Sequence, residues 1–381
     1  KKQINYKNAL LKIYDLPIFY FPKFFHPDPT VERQSGILTP ALNNSNVLGS
    51  SLNLPYYHVI SYDSDITITP SLFDSGVVMI QNEYRKVEKN SEFIIDFGFV
   101  NNFKSSIENN KNSIFNLFSK YKLDLDLENF STSELFLNIE KVTNDTFLKV
   151  FDTNIDIENT SLKPSDFNNL KSELKLSLIN ENHNLESGII SYENLQKKNN
   201  DRYEYILPYY YYSTNLSDDF FGGTLNLLSN GSNNYNNTNQ LKTNITNDIN
   251  FVSKNFINAL GLDNNFTIDL KNLNSLGKNH SNYKSSPQVE FMSLFSFNSN
   301  LPLQKKDLNY NNFLTPKISL NINPGDMKNY SNEDKIINTD NIFNNNRLGI
   351  SDSLESGRSL TLGIDYRKEK LNDKNKFFEF E

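Results

Sequence analysis

A strict alternation of apolar and polar residues, repeated in many separate segments, is the strongest constraint on how this chain can fold. Leu360, Leu362 and Ile364, for example, alternate with Ser, Thr, Gly and Asp. Successive side chains of a strand point to opposite faces, so each such segment predicts a strand with one apolar and one polar face. Several are longer than the roughly five or six residues typical of soluble sheets. We predict about fifteen strands in all, including 65–73, 76–88, 91–100, 122–128, 133–142, 146–153, 173–178, 187–196, 203–212, 221–230, 264–271, 287–298, 317–322 and 359–366.

Segments rich in Asn and Ser separate these strands and predict long loops. They cover 101–113, 154–170, 229–247, 272–286 and 323–347. A short helix is predicted within 113–120. The last residues, 374–381, are charged and show no strand pattern, and residue 1 is Lys. We therefore expect the sequence to be an internal part of a longer protein.

Composition excludes several classes of protein. Among 381 residues there is no Cys, which excludes disulfide scaffolds, thiolate nucleophiles and Cys-based zinc sites. The formal net charge of −7 argues against a nucleic-acid-binding groove. No stretch reaches the length of apolar sequence that a transmembrane helix needs, about 18 residues. Membrane-spanning strands stay possible, since each needs only about 9–11 residues with every second one apolar.

No motif for catalysis or metal binding stands out. The four histidines, His26, His58, His183 and His280, are scattered and have no partners at metal-ligand spacing. There is no phosphate-binding loop and no nucleophile elbow. The sequence thus predicts no catalytic residue, no metal site and no cofactor, and a protein that is not an enzyme.

The strand pattern fits two architectures. Short turns alternating with long loops, and Tyr and Phe near strand ends, favour an outer-membrane β-barrel. A soluble β-sandwich with an aromatic core is the alternative. The polar residues Asp124, Asp126, Glu173 and Lys175 would line a hydrated lumen in the barrel and face solvent in the sandwich.

A proline-punctuated apolar block lies near the start of the chain. Residues 16–27 read LPIFYFPKFFHP, and Pro40 follows a short apolar stretch. Proline cannot donate a ladder hydrogen bond, so within sheets it is confined to edges, strand starts and bulges. Pro22, Pro27 and Pro40 therefore either weaken a seam between strands or simply end strands and shape turns.

This block, followed by Leu54-Pro55-Tyr56-Tyr57 and the segment 65–70, resembles the junction between jellyroll and barrel in the LptD (OstA) family of Gram-negative outer-membrane lipopolysaccharide-assembly proteins. Further similar motifs follow in family order and span nearly the whole chain. They are the segments 82–85, 201–209, 314–317, 346–349 and 354–363.

The resemblance implies a fold and a location. The fold is all-β: an antiparallel transmembrane β-barrel, of which part is present here, preceded by the last strands of a periplasmic β-jellyroll. Residues 1–25 would form the end of the jellyroll and the junction, and residues 26–381 the N-terminal part of the barrel. The location is the cell outer membrane, and the strand that closes the barrel is expected beyond residue 381.

The resemblance also implies a transport mechanism. Lipopolysaccharide would arrive along a periplasmic LptA-type bridge protein and pass through a barrel plugged by an LptE-type lipoprotein. Its acyl chains would enter the outer-membrane lipids through a lateral seam. A strand pair lacking donors opens easily, since each ladder bond contributes about 0.5–1.5 kcal/mol net. The implied seam residues are Pro22, Pro27 and Pro40, and the implied substrate path near the junction is Phe19, Phe21, Phe24 and Phe25.

Two other functions are compatible with the pattern. A porin or uptake barrel would have the same alternation but would close its seam with ordinary strands. A secreted β-rich adhesin or glycan-binding protein would be soluble without detergent and would lack apolar bands on consecutive strands.

Overall fold

The computed structural model describes most of the chain. The described residues are 3–13, 16–27, 33–103, 113–152, 162–236, 239–280, 283–327, 330, 335–371 and 373–380. They form almost entirely β-structure, and the predicted all-β class is confirmed. None of the helices among them has the length and apolar character needed to cross a membrane.

Twenty-three strands, one short α-helix and one turn of 3₁₀-helix make up the described secondary structure. The strands are β1 Gln3–Ile13, β2 Leu16–Pro27, β3 Gly36–Ile37, β4 Ala41–Ser45, β5 Gly49–Asn53, β6 Tyr56–Val59, β7 Ser64–Phe73, β8 Val78–Val87, β9 Ser91–Asn101, β10 Ser113–Asp124, β11 Thr132–Val142, β12 Asn169–Ile179, β13 His183–Asn194, β14 Tyr203–Phe220, β15 Gly223–Asn236, β16 Gln240–Ser253, β17 Phe256–Ile257, β18 Asp263–Lys278, β19 Gln288–Asn300, β20 Leu303–Lys306, β21 Tyr310–Asn323, β22 Gly357–Lys370 and β23 Asp373–Phe380. Helix α1 is Phe147–Val150, and the 3₁₀ turn is Asn199–Arg202.

The chain divides into two compact units. Unit 1 comprises 1–127, 133–175 and 190–204, and unit 2 comprises 128–132, 176–189 and 205–381. In unit 1, β1 pairs with β2, and β7 to β11 pair antiparallel in chain order. The short strands β3 to β6 precede β7 and pair around it.

Unit 2 repeats this order with longer strands. β15 and β16 form a hairpin, β16 pairs with β18, and β18 pairs with β19 over thirteen residue pairs. β21 pairs with β19 and with β22, and β22 pairs with β23. Each unit is thus a succession of hairpins, which is the pattern that local alternation and short turns predict.

Unit 1 has its apolar core at one end of its strands. Phe73, Met79, Val100, Ile114 and Phe118 supply the strand side of this core, and the segments around α1 cover it. The other buried residues of this core lie in α1, in the connections beside it and at the adjoining ends of β11 and β12. They are Val142, Phe147, Leu148, Phe151, Leu162, Leu170 and Leu195. The described part of unit 2 has a smaller core formed by Leu273, Met292, Leu294 and Leu354.

Several of our sequence predictions were wrong. The segment 146–153 was predicted as a strand, but 147–150 is α1, because its apolar residues are buried on all sides and alternation carries no information there. The predicted helix within 113–120 belongs to β10, whose backbone is fixed by β9 and β11.

The other errors concern polar segments. The predicted loop 272–286 begins within β18, which extends to Lys278. The predicted loop 229–247 contains most of the β15–β16 hairpin, in which Asn and Ser bond across the strands, as from Ser229 Oγ to Asn247 Oδ1 at 2.8 Å. The charged end, predicted to lack a strand, forms β23 on the edge of β22. The expected number of about fifteen strands was also too low, since short strands such as β3, β17 and β20 carry too few residues to show alternation.

Candidate functional site

The strands of unit 1 bury their polar face and expose their apolar face. On β7, Thr67, Thr69 and Ser71 are buried, whereas Ile68 and Leu72 at alternate positions are 36% and 48% exposed. The strand register continues both faces through β8, β9 and β10. The buried polar face of unit 1 carries Asp65, Thr67, Thr69, Ser71, Gln81, Glu83, Asp96 and Asn116. Its exposed apolar face carries Ile68, Leu72, Ile80, Phe97 and Phe115.

The strands of unit 2 show the same inversion. On β22, Leu360, Leu362 and Ile364 are 62%, 71% and 54% exposed, and Thr361 between them is buried. The exposed apolar face of unit 2 continues through Ile249, Leu270, Phe295 and Ile318. Its buried polar face includes Thr246, Thr267, Lys271, Ser275, Ser296, Ser319 and Asn321. Water-soluble sheets arrange their faces the other way round, so these strands are built for contact with an apolar medium.

A charged cluster lies on the buried polar face of unit 1, where Asp65 sits between two arginines. Arg33 pairs with Asp65 Oδ2, and Arg85 Nε donates to Asp65 Oδ1 at 2.9 Å. Tyr57 OH donates to Asp65 Oδ2 at 3.1 Å, and Glu83 lies 3.4 Å from Arg85. Since Asp65 and Glu83 are almost fully buried, the arginines balance their charge within the protein.

A second polar row continues this face. Gln81 donates to Asp96 Oδ1, and Asn116 Nδ2 donates to the same oxygen at 3.2 Å. Gly98 faces both amides, and a Cβ there would lie 1.9 Å from Asn116 Oδ1. Glycine is therefore needed at this position for the polar row to close.

An ion-pair network links the residues just before α1 to strands β11 and β13. Glu193 accepts from Lys141 Nζ at 2.5 Å and from Arg202 Nε at 2.8 Å. Arg202 also pairs with Asp145, two residues before α1, at 2.7 Å. The hydrogen bond to Asp145 raises the pKa of Arg202, so this link keeps its charge at every physiological pH. The segment that carries α1 is thereby fixed over one end of the buried face.

In unit 2, the described residues between β21 and β22, which are 324–327, 330 and 335–356, are fixed to the strands by polar contacts. Lys271 Nζ donates to the carbonyl oxygen of Ser351 at 3.0 Å. Arg347, which is buried, forms an ion pair with Glu355. Asp352 accepts hydrogen bonds from Tyr283 and Tyr330, each at 2.5 Å.

The Tyr330–Asp352 contact predicts a loss of stability at high pH. Burial, and then the hydrogen bond to Asp352, raise the pKa of Tyr330 well above its usual value of about 10. A raised pKa means that the folded state favours the neutral phenol, so its contribution is complete below pH 10 and falls as the pH rises further. We expect the thermal midpoint in detergent to drop more steeply above pH 10 in the wild type than in Tyr330→Phe. Parallel pH profiles in the two proteins would contradict this assignment.

The structure gives the backbone positions of the predicted seam and path residues. Pro22 and Pro27 lie in β2, which pairs with β1, and Pro40 directly precedes β4. Pro22 stands opposite Asn8, where the register skips a pair and Asn8 has a φ of 57°. Phe19, Phe21 and Phe25 stand at odd-numbered positions of β2, and Phe24 stands at an even-numbered position. Phe25 is exposed. Their roles in a seam and a substrate path stay predictions.

The predicted lumen residues have different environments. Glu173 is mostly covered and pairs with Lys171 at 2.7 Å. Asp124 accepts from Ser133 Oγ at 3.2 Å, and Asp126 is an exposed turn residue with a φ of 52°. Lys175 lies in β12 and is half-buried. The residues that form the charged and polar rows were missed, although the alternation of 64–73 and 91–101 contains the signal.

The sequence matches curated proteins named LPS-assembly protein LptD over part of its length. A protein from Pseudoalteromonas translucida is 30% identical over 147 residues, which is 39% of this chain and 19% of the relative. One from Pseudomonas aeruginosa is 32% identical over 94 residues, 25% of this chain and 10% of the relative. One from Legionella pneumophila is 27% identical over 170 residues, 39% of this chain and 19% of the relative. No family model matches the sequence.

The chain is related to the LptD family. The exposed apolar strand faces are an observation independent of the sequence match. Together the two confirm the predicted outer-membrane location. The matched stretches cover a fifth or less of the length of these LptD relatives.

Proposed function

We propose that the chain forms part of a barrel that carries lipopolysaccharide to the outer leaflet of the outer membrane. The observation that carries this proposal is the inversion of the strand faces. An apolar exterior suits lipid, and the buried polar rows of each unit suit the passage of hydrated sugars. The relatives are named as lipopolysaccharide-assembly proteins, which directs the proposal to this substrate and to a role without catalysis.

The proposed path uses the N-terminal hairpin as its entrance. Residues 1–25 belong to the end of a periplasmic jellyroll, and 26–381 belong to the barrel. An LptA-type bridge protein delivers the lipid to the hairpin, and an LptE-type lipoprotein fills the lumen. The acyl chains pass Phe19, Phe21, Phe24 and Phe25 of β2, whose apolar side-chain chemistry suits them.

The proposed seam depends on prolines that cannot donate to a ladder. Pro22 lies opposite Asn8, whose side chain accepts from Tyr20 OH at 2.6 Å. The ladder between β1 and β2 is interrupted at this pair of residues. Pro27 ends β2, and Pro40 precedes β4, so all three stand where strand pairing changes.

Photo-crosslinking in cells tests the proposed function. A benzophenone amino acid is placed at Phe21 or Phe24 in the full-length protein, and adducts are probed with antibody to lipopolysaccharide. Position 308 is the control, because Leu308 is 95% exposed in the turn before β21. We expect adducts from the two β2 positions only. Adducts with porin-type solutes and none with lipopolysaccharide would favour the alternative of an uptake channel.

Replacing the seam prolines is expected to reduce lipopolysaccharide export. Pro22→Thr and Pro40→Thr supply N–H donors and so stabilise the closed pairing, each by about 0.5–1.5 kcal/mol. The appearance of new lipopolysaccharide at the cell surface, measured after a radiolabel pulse, should slow about two- to tenfold in the double variant. Pro302→Thr is the control, because Pro302 is exposed beside β20. Export at the wild-type rate in the double variant would remove the seam role.

A further inference from the structure

A cavity of 220 Å³ lies on the buried polar face of unit 2. Its floor comes from facing positions of three strands, where Asp263 stands opposite Asn300 and Asn300 opposite Lys317. Asn265 and Asn298, also a facing pair, complete the floor. Phe343, from the segment between β21 and β22, forms a wall.

Gly363 makes room for the Phe343 ring. A Cβ at this position would lie 2.6 Å from the ring, so only glycine lets the ring lie against β22. Lys317 Nζ is 5.3 Å from the ring centroid, and it pairs with Asp365 at 2.5 Å. The ring is therefore held from two sides and presents an apolar surface beside the polar floor.

A chain of side-chain amides beside the cavity ends on one oxygen of the Asp263 carboxylate. Asn298 donates to Asn265 at 3.2 Å, Asn265 to Asn255 at 3.4 Å, and Asn255 to Asp263 Oδ2 at 3.0 Å. The other oxygen, Asp263 Oδ1, is buried and accepts no hydrogen bond from the described part of the chain. A buried acceptor left in this state is costly. The Asp263 carboxylate thus places a negative charge beside the amides that line the cavity.

The charges of the cavity select among ligands. Lys317 is neutralised by Asp365, and Asp263 adds a negative charge, so phosphates and carboxylates are disfavoured. A hard cation needs more oxygen ligands than one carboxylate supplies, and no metal-binding group of acidic or His residues occurs among the described residues. The volume is below the roughly 300–1,000 Å³ of pockets for drug-sized ligands, and suits a single ring.

We propose that this cavity binds one neutral sugar ring. The hydroxyl groups of such a ring exchange hydrogen bonds with the side chains of Asn265, Asn298 and Asn300, and its C–H face packs on Phe343. The assignment of that ring to the saccharide of lipopolysaccharide rests on the proposed function. The cavity is then a station at which saccharide is held during passage along the polar face.

Saturation-transfer NMR on the purified full-length protein in detergent tests the site. The probe is a core oligosaccharide freed of lipid by mild acid hydrolysis of lipopolysaccharide. We expect transfer to pyranose ring protons in the wild type and its loss in Phe343→Ala. Phe291→Ala is the matched control, because Phe291 lies on the same sheet and is 81% exposed on the other face. Equal transfer in both variants, or none in the wild type, would overturn the proposal.

A milder pair of variants keeps the test decisive if Phe343→Ala does not fold. Asn298→Ala should raise the Kd of the oligosaccharide about two- to twelvefold, the value of one net hydrogen bond. Asn244→Ala, whose amide oxygen accepts from Ser232 at 3.0 Å in the β15–β16 hairpin, should leave it unchanged. Circular dichroism confirms the fold of each variant. Equal Kd values for the two variants would overturn the site.

The outcome is independent of the crosslinking test. Lipopolysaccharide adducts at β2 without oligosaccharide binding would remove the sugar site and leave the transport role. Oligosaccharide binding without such adducts would establish the sugar site and remove the transport role.

Discussion

Leu362→Arg is expected to impair insertion of the protein into lipid bilayers strongly and to have little effect on the β-structure in detergent. Leu362 lies in the middle of β22, is 71% exposed, and is paired with Ile318 on the same apolar face. In a bilayer, arginine at such a lipid-facing position costs about 2–4 kcal/mol near the midplane. Folding yield into vesicles of phosphatidylcholine, followed by heat-dependent mobility on gels, measures this loss.

Leu308→Arg is the matched control for this prediction. Leu308 is 95% exposed in the turn between β20 and β21. The same substitution is therefore made at an exposed leucine outside the strands. If the apolar faces contact lipid, only Leu362→Arg lowers the yield. Equal yields of the two variants would be the result for a soluble β-sandwich and would sink the membrane assignment of this face.

The strands of the chain could be predicted from sequence because their two faces differ in polarity. The alternation at 65–73 and 91–100 gives β7 and β9 to within one residue at each end. Alternation does not say which face is buried, because a soluble sheet and a membrane barrel have the same period. The predicted lumen residues of 122–128 and 173–178 were therefore left open between the two architectures. On the structure Glu173 is mostly covered, whereas Asp124 and Asp126 are exposed.

The predictions failed where alternation carries little information. In α1, Phe147 and Leu148 are adjacent and both fully buried, so neither helical nor strand periodicity is visible. In the β15–β16 hairpin, the Asn- and Ser-rich sequence has low intrinsic strand preference, and pairing with neighbours decides the conformation. The cavity of unit 2 was also not predictable, because Phe343 reaches it from a segment distant in sequence from Asp263.

Phe151→Ala is expected to give the largest loss of stability of any single truncation in unit 1. Phe151 is fully buried, with ring centroids 5.1 Å from Phe147, 5.5 Å from Phe103 and 6.0 Å from Phe73. Truncating a buried Phe removes its apolar contacts and leaves a cavity, at about 3–5 kcal/mol. Urea unfolding in detergent micelles, followed by circular dichroism, should show the midpoint shift.

A pair of leucines supplies the control for this core. Leu148 in α1 is fully buried, and Leu260 in the turn before β18 is 79% exposed. Leu148→Ala should cost about 2–5 kcal/mol, and Leu260→Ala should stay within about 0.5 kcal/mol of the wild type.

The ion pairs of Arg202 with Asp145 and Glu193 anchor the chain beside α1, so Arg202→Gln should reduce the effect of Phe151→Ala in the double variant. Strictly additive losses would mean that α1 packs on the strands independently of that anchor.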